Sequence, residues 1–174
     1  MTSLQPPVPK VSTSRADISV RAAVDSDIDS FPEMKVRTWR ETYIVFGVPL
    51  WFLDEPPLED GFREGFPDRI ADPTRRTWIA YDEVEKKVVG YATALSKPNL
   101  HGYIDIRALY VLTEYQGMGL GKRLIEGVVG EKDCRAVVGT LLANNSARGF
   151  YQKMGFTRLV VSSSSSSSSG TLQT

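Results

Sequence analysis

Gln116-Gly117-Met118-Gly119-Leu120-Gly121-Lys122 stands between an apolar run ending at Leu109-Tyr110-Val111-Leu112 and a helix-patterned run containing Leu124, Ile125, Val128 and Val129. The order predicts a strand, a glycine turn and a helix start. Glycines at alternate positions leave backbone N–H groups without Cβ obstruction, and the helix dipole adds partial positive charge at the same end. Such a turn holds phosphate. A P-loop would need glycine where Gln116 stands and Ser or Thr where Arg123 stands. A Gly-x-Gly-x-x-Gly dinucleotide fingerprint would need glycine at Lys122 or at Leu124. Neither alternative fits.

A second motif follows the apolar strand Ala136 to Leu142, beginning at Asn144 and ending at Gly155-Phe156. Asparagine favours an N-cap, so a helix is expected from Asn145 to Met154. Ala147, Tyr151 and Met154 then share one face, and Gly155 ends the helix before Phe156 opens another strand. Taken alone, Tyr151 reads as an ordinary core aromatic.

Together, Gln-x-x-Gly-x-Gly after Leu-Tyr-Val and Asn-x-x-Ala-x-x-Phe-Tyr-x-Lys-x-Gly-Phe from Asn144 to Phe156 resemble the GNAT superfamily of acyl-CoA-dependent N-acetyltransferases. The resemblance implies an α/β (α+β) fold: a mixed, mostly antiparallel central sheet flanked by helices, with strands splayed at an acetyl-CoA site. It also implies acetyl-CoA as cosubstrate. Gln116, Gly117, Met118, Gly119, Leu120, Gly121 and Lys122 would hold the pyrophosphate, backbone groups of Leu109 and Val111 the pantetheine and thioester oxygen, and Asn144 the pantetheine arm. Tyr151 would donate a proton to the departing thiolate. The chemistry agrees, because a phenol titrates near ~10 and a thiol near ~8.5.

Asp105 is the candidate base, on the strand position where some members of the family carry a catalytic glutamate. Odd numbering puts Asp105, Leu109 and Val111 on one side unless a bulge intervenes. A structural aspartate paired with Arg107 is an equal alternative, and His101 in the Pro98-Asn99 loop is the fallback base. Two functions stand open: an N-acetyltransferase in which a primary amine attacks directly in a ternary complex, and a non-catalytic acetyl-CoA-binding sensor or scaffold.

The 174 residues suit one domain, and their 41% hydrophobic content is that of an ordinary globular chain. Lys plus Arg equals Asp plus Glu at 21 each, which gives nucleic acid or an anionic membrane no field to bind. With Cys134 the only cysteine and His101 the only histidine, no intramolecular disulfide or Cys/His zinc cluster can form, and no metal is expected. The expected location is the cytoplasm, and a homodimer is left open.

Residues 1–17, with Pro6, Pro7 and Pro9, read as a flexible arm, 18–161 as the acetyltransferase domain, and 162–174 as a serine-rich tail. Ile18 to Ala22 is the first strand, and the next helix runs toward Tyr43 with a restart near Phe31-Pro32. From Trp51 to Asp72 there are seven carboxylates against two arginines, Arg63 and Arg69, so the segment reads either as a solvated acidic face or as one that would attract a small cationic amine as acceptor. There Leu58, Phe62, Phe66 and Ile70 suggest a helix that Gly61, Gly65 and Pro67 weaken. A hairpin (Thr77–Tyr81, Lys87–Leu95) and a strand from Gly102 to Leu112 follow. After Val161 come eight serines, Ser162 to Ser169, so the final strand of the family is short or missing, with only Thr171 to Gln173 left to form it.

Overall fold

Asp82-Glu83-Val84-Glu85-Lys86 reverses the chain between two apolar runs, with Lys86 in the left-handed region at φ 54°. The flanking strands, β2 (Arg75–Asp82) and β3 (Lys87–Leu95), pair antiparallel as neighbours in the sheet. In this computed structural model, which describes residues 13–49, 56–130, 134–159 and 169–173, the other strands are β1 (Ile18–Ala22), β4 (Tyr103–Val111), β5 (Arg135–Leu141), β6 (Thr157–Leu159) and β7 (Ser169–Gln173). The helices are α1 (Phe31–Tyr43), α2 (Pro56–Glu64), α3 (Phe66–Ala71), α4 (Leu120–Val129) and α5 (Asn145–Lys153). Strand order is β1-β2-β3-β4-β5-β7-β6, and only β4 and β5 run parallel.

Val88 to Ala94 of β3 are buried without alternation, because both faces of the sheet are covered. Phe31 of α1 packs on Tyr91 with ring centroids 5.1 Å apart. On the opposite face α4 buries Leu120, Leu124, Ile125 and Val128, and a Cβ added to its Gly127 would come within 2.4 Å of the Trp78 ring. Glycine there lets the helix lie flat on the sheet.

Asp82, at the end of β2, is fully buried and accepts four hydrogen bonds. Thr13 Oγ1 (2.8 Å) and Tyr115 OH (2.9 Å) donate to Oδ2, and the Val84 and Glu85 N–H groups (2.9 Å each) to Oδ1. Burial alone would raise this carboxyl, but the four donors outweigh it and hold it below the ordinary carboxylate value. The arm, the hairpin turn and the approach to the glycine loop therefore meet at one charge.

Three expectations need correction or refinement. The flexible arm was expected to run through Asp17, but Thr13 is buried, Arg15–Asp17 form a 3-10 turn, and Asp17 O receives the Glu83 N–H at 2.9 Å; the earlier arm residues lie outside the described ones. The acidic segment forms two helices, broken at Gly65, with Pro67 at the start of α3 where its missing N–H costs nothing. The final strand is present and longer than Thr171–Gln173: β7 begins at Ser169 and lies between β5 and β6. Backbone hydrogen bonding alone lets serine and glycine do this.

Lys35 of α1 is 5% exposed, and its Nζ sits 3.9 Å from the Phe62 ring centroid, with Phe31, Trp39 and Tyr91 within 5.8 Å. Desolvation, reinforced by the nearby Arg69 charge, pulls its pKa down to about 7, and attraction to the rings offsets part of that cost. The depressed value means that the unfolded chain holds the extra proton between about pH 7 and pH 10.5, so this penalty is full below that window, fades across it and is gone above it. Lys35→Met should therefore raise stability by roughly 2 kcal/mol at neutral pH, and the gain should shrink as urea unfolding is repeated toward pH 10. For Asp82→Asn we expect a loss of about 3 kcal/mol at pH 7. Because the native carboxyl is depressed, its contribution is present above the unfolded value of 3.8 and lost as pH falls through the folded one, so variant and parent should converge in acid.

Candidate active site

Pairing between β4 and β5 stops at Ile106 and Val138, and beyond that point the two strands diverge. Between them opens a cavity of about 1130 Å³. Its walls include Leu109, Val111, Gly139 and Thr140, with the glycine loop at one end and Tyr43 and Tyr110 among the residues on the α1 side. The Leu112 N–H bonds to Val89 O at 3.0 Å, and antiparallel pairs alternate between bonded and non-bonded. Val111 opposite Gly90 and Leu109 opposite Ala92 are therefore the non-bonded pairs, and their backbone groups turn away from β3 toward the gap. The Val111 carbonyl is already engaged by Gln116 Nε2 at 3.0 Å. Backbone groups of Leu109 and the Val111 N–H remain for a ligand.

Gly117 and Gly119 adopt φ values of 82° and 78°, which a side chain rarely tolerates, and Gly119 is the N-cap of α4. A Cβ on Gly121 would meet Phe150 Cζ at 2.9 Å. The loop is braced at its entry: Tyr115 reaches Asp82, while Glu41 Oε2 of α1 accepts from Thr113 N (3.0 Å) and Oγ1 (2.8 Å). Arg37 then spans Glu41 (3.0 Å) and Glu114 (2.7 Å).

Asn144 caps α5, its Oδ1 accepting from Ala147 N at 3.0 Å, so its amide N–H groups are what it can offer the cavity. Tyr151 lines the cavity, 5% exposed, against Phe150 and Phe156 with centroids 5.2 and 5.4 Å away. Burial pushes its phenol up, so the proton stays on at neutral pH. Tyr110 shares a 2.7 Å hydrogen bond with the Tyr43 hydroxyl and stacks on Tyr91 at 5.6 Å. Burial, then the bond to Tyr43, raises the Tyr110 phenol as well.

The cavity thus gathers Leu109, Val111, Gln116, Gly117, Gly119, Leu120, Gly121, Asn144 and Tyr151 from the expected site. Met118 and Lys122 are not among its walls; Lys122 is exposed and 3.8 Å from Glu126. Asp105 is displaced for a defined reason. Thr93 pairs with Ala108 and the next residue, Ala94, with Ile106, so Arg107 is an extra, bulged residue that inverts the alternation. Asp105 falls on the face of Ala108 and Tyr110, opposite to Leu109 and Val111, and pairs with Arg107 at 3.0 Å. The pairing with Arg107 named by the structural alternative is present. His101 is exposed in the turn before β4 and lines no part of the cavity. The described acidic residues of α2 and α3 also lie outside it, leaving Glu41 as the carboxylate of the wall. Tyr43, Tyr110 and Glu41 were missed; α1 and β4 are far apart in sequence, and no spacing links them. Among the described residues no group of three or more His, Cys, Asp or Glu is arranged to hold a metal, and no helix is long and apolar enough to cross a membrane.

Residues 73–158 match the sequence model of the acetyltransferase (GNAT) domain. No curated protein matches the chain. An acetyltransferase of Thermus thermophilus superposes with a TM-score of 0.67 at 19% identity, over 90% of this chain and 96% of that one. The PaiA N-acetyltransferase of Thermoplasma acidophilum, solved with coenzyme A, gives 0.63 at 15% identity over 90% and 97%. A mutant of the spermidine N-acetyltransferase SpeG of Vibrio cholerae gives 0.60 at 16% identity over 91% and 94%. At such identities the likeness is one of fold, while the matched segment spans β2 to β6 and includes the glycine loop and Tyr151. Residues 73–158 thus carry an acetyltransferase (GNAT) domain.

Proposed function

We propose that this protein transfers the acetyl group of acetyl-CoA to the nitrogen of a primary amine by direct attack in a ternary complex. The observation that carries this reading is one cavity bounded by both the glycine loop and the buried phenol of Tyr151. The residues fit the cosubstrate: Gly117 and Gly119 hold a turn that a Cβ would strain, and Leu109 and Val111 turn backbone groups into the gap. Loop amides at the α4 N-terminus bind the diphosphate, the Asn144 amide holds the pantetheine, and the Leu109 and Val111 strand aligns the thioester. Attack by the neutral amine forms the C–N bond and breaks the C–S bond. Tyr151 gives its proton to the sulfur and regains one from the nitrogen through water.

Tyr43 and Tyr110 orient the amine as hydrogen-bond partners, but burial raises the Tyr110 phenol, which keeps its proton and serves poorly as a base. The acceptor must therefore arrive neutral or shed its proton to solvent. A small cationic amine is the acceptor class we favour, on the strength of Glu41 in the wall together with the aromatic rings of Tyr43, Phe46 and Tyr110. Spermidine, named for the Vibrio neighbour, is one such amine.

Free-thiol release measured across an amine panel tests this proposal; a sample that binds acetyl-CoA yet releases no thiol with any amine would be a sensor instead. Tyr151→Phe should lower turnover by about 10²-fold with acetyl-CoA affinity largely kept. Because burial raises the phenol above its ordinary 10.0, kcat/KM should climb with pH as the acceptor deprotonates and show no fall up to about pH 10. Gly119→Val, which forces a branched side chain into φ 78°, should abolish acetyl-CoA binding in calorimetry.

A further inference from the structure

Arg15 lies on the 3-10 turn of the N-terminal arm, far in sequence from the glycine loop, yet its guanidinium rests on Gly119. A Cβ built on Gly119 would stand 3.3 Å from Arg15 Nη2 and 3.4 Å from its Cζ. This contact depends on a strap. Thr13 bonds to the buried Asp82, Ser14 Oγ bonds to Asp17 Oδ2 at 2.6 Å, and Arg123 Nη1 of α4 bonds to Ile18 O at 3.1 Å. Asp17, the nearest carboxylate in sequence, is occupied by Ser14 through both its hydroxyl and its N–H.

The electrostatics of this arrangement need an explanation. A cation at a helix N-terminus opposes the dipole, and α4 has no acidic residue in its first turn. Instead Lys122 and Arg123 follow directly in sequence, so Arg15 and the positive helix end meet at one loop with no carboxylate in that first turn. Like charges gathered in this way are favourable when an anion joins them. An arginine fork suits phosphate oxygens.

We propose that Arg15 is a phosphate ligand of the cofactor site, delivered by the arm and closing over the phosphates of coenzyme A from the side opposite the cavity wall. The proposal rests on the acetyl-CoA reading above. Arg15 then sets affinity rather than chemistry, and the arm becomes part of the binding site.

Calorimetric titration of the full chain with coenzyme A and with 3′-dephospho-coenzyme A tests it. Arg15→Ala should weaken coenzyme A binding by about tenfold at low salt, flatten its salt dependence and leave the melting temperature of the free protein unchanged, and Arg15→Lys should restore part of the loss. Equal weakening toward both ligands would assign Arg15 to the diphosphate, and weakening toward coenzyme A alone to the 3′-phosphate. Thr13→Val, which cuts the strap at Asp82, should reproduce the loss. If the parent binds coenzyme A and Arg15→Ala binds it equally well with the same salt slope, the assignment is overturned while the function stands. If the parent binds no coenzyme A, the function itself falls.

Discussion

A single buried carboxylate with four donors governs how the parts of this molecule are joined. Among the described residues Asp82 has no cationic partner in contact; its charge is stabilised by two hydroxyls and two backbone N–H groups that come from three separate places in the chain. Stripping a buried carboxylate of such donors costs several times an ordinary hydrogen bond, so the three segments are held in one arrangement. One of them, Tyr115, leads directly into the glycine loop. The position of the glycine-loop amides relative to the sheet is therefore fixed at the far end of the hairpin, and the α1 residues Arg37 and Glu41 fix it a second time through Thr113 and Glu114.

The cavity follows from two departures from regular pairing. Parallel β4 and β5 separate after four paired positions, and the bulge at Arg107 rotates the rest of β4 by one face. The first makes room for an extended ligand arm between strands. The second turns Tyr110 toward α1, where it meets Tyr43, and leaves Leu109 and Val111 with backbone groups aimed into the opening. The same packing keeps the proton on Tyr151, since rings of Phe150 and Phe156 lie against it and keep water from stabilising its anion.

Much of this was readable from residues close together in the chain. The glycine loop, the Asn144 cap and the strand-helix order rest on local rules, namely conformational freedom without Cβ, capping geometry and apolar periodicity, and each is where those rules put it. What escaped were features set by residues distant in sequence. Asp105 was assigned by parity, and parity fails at a bulge that no residue type announces, since Arg107 is an ordinary strand residue. Thr13 and Arg15 looked like linker, because a serine- and proline-rich context hides the one buried bond that orders them. Ser169 and Gly170 looked like tail for the converse reason: β7 is specified by the unpaired edges of β5 and β6, not by its own side chains.

That last strand bears on how the protein reaches its native state. β6 pairs with β7 alone, and β7 also pairs with β5, so β6 has no backbone partner until a segment beyond a long serine run returns and inserts. Closing such a loop sacrifices chain entropy before any contact rewards it, which slows the step relative to hairpin formation by β2 and β3. The order of assembly is thereby biased: the meander and α4 can consolidate first, while the side of the cleft bearing α5 waits on zippering at the opposite edge.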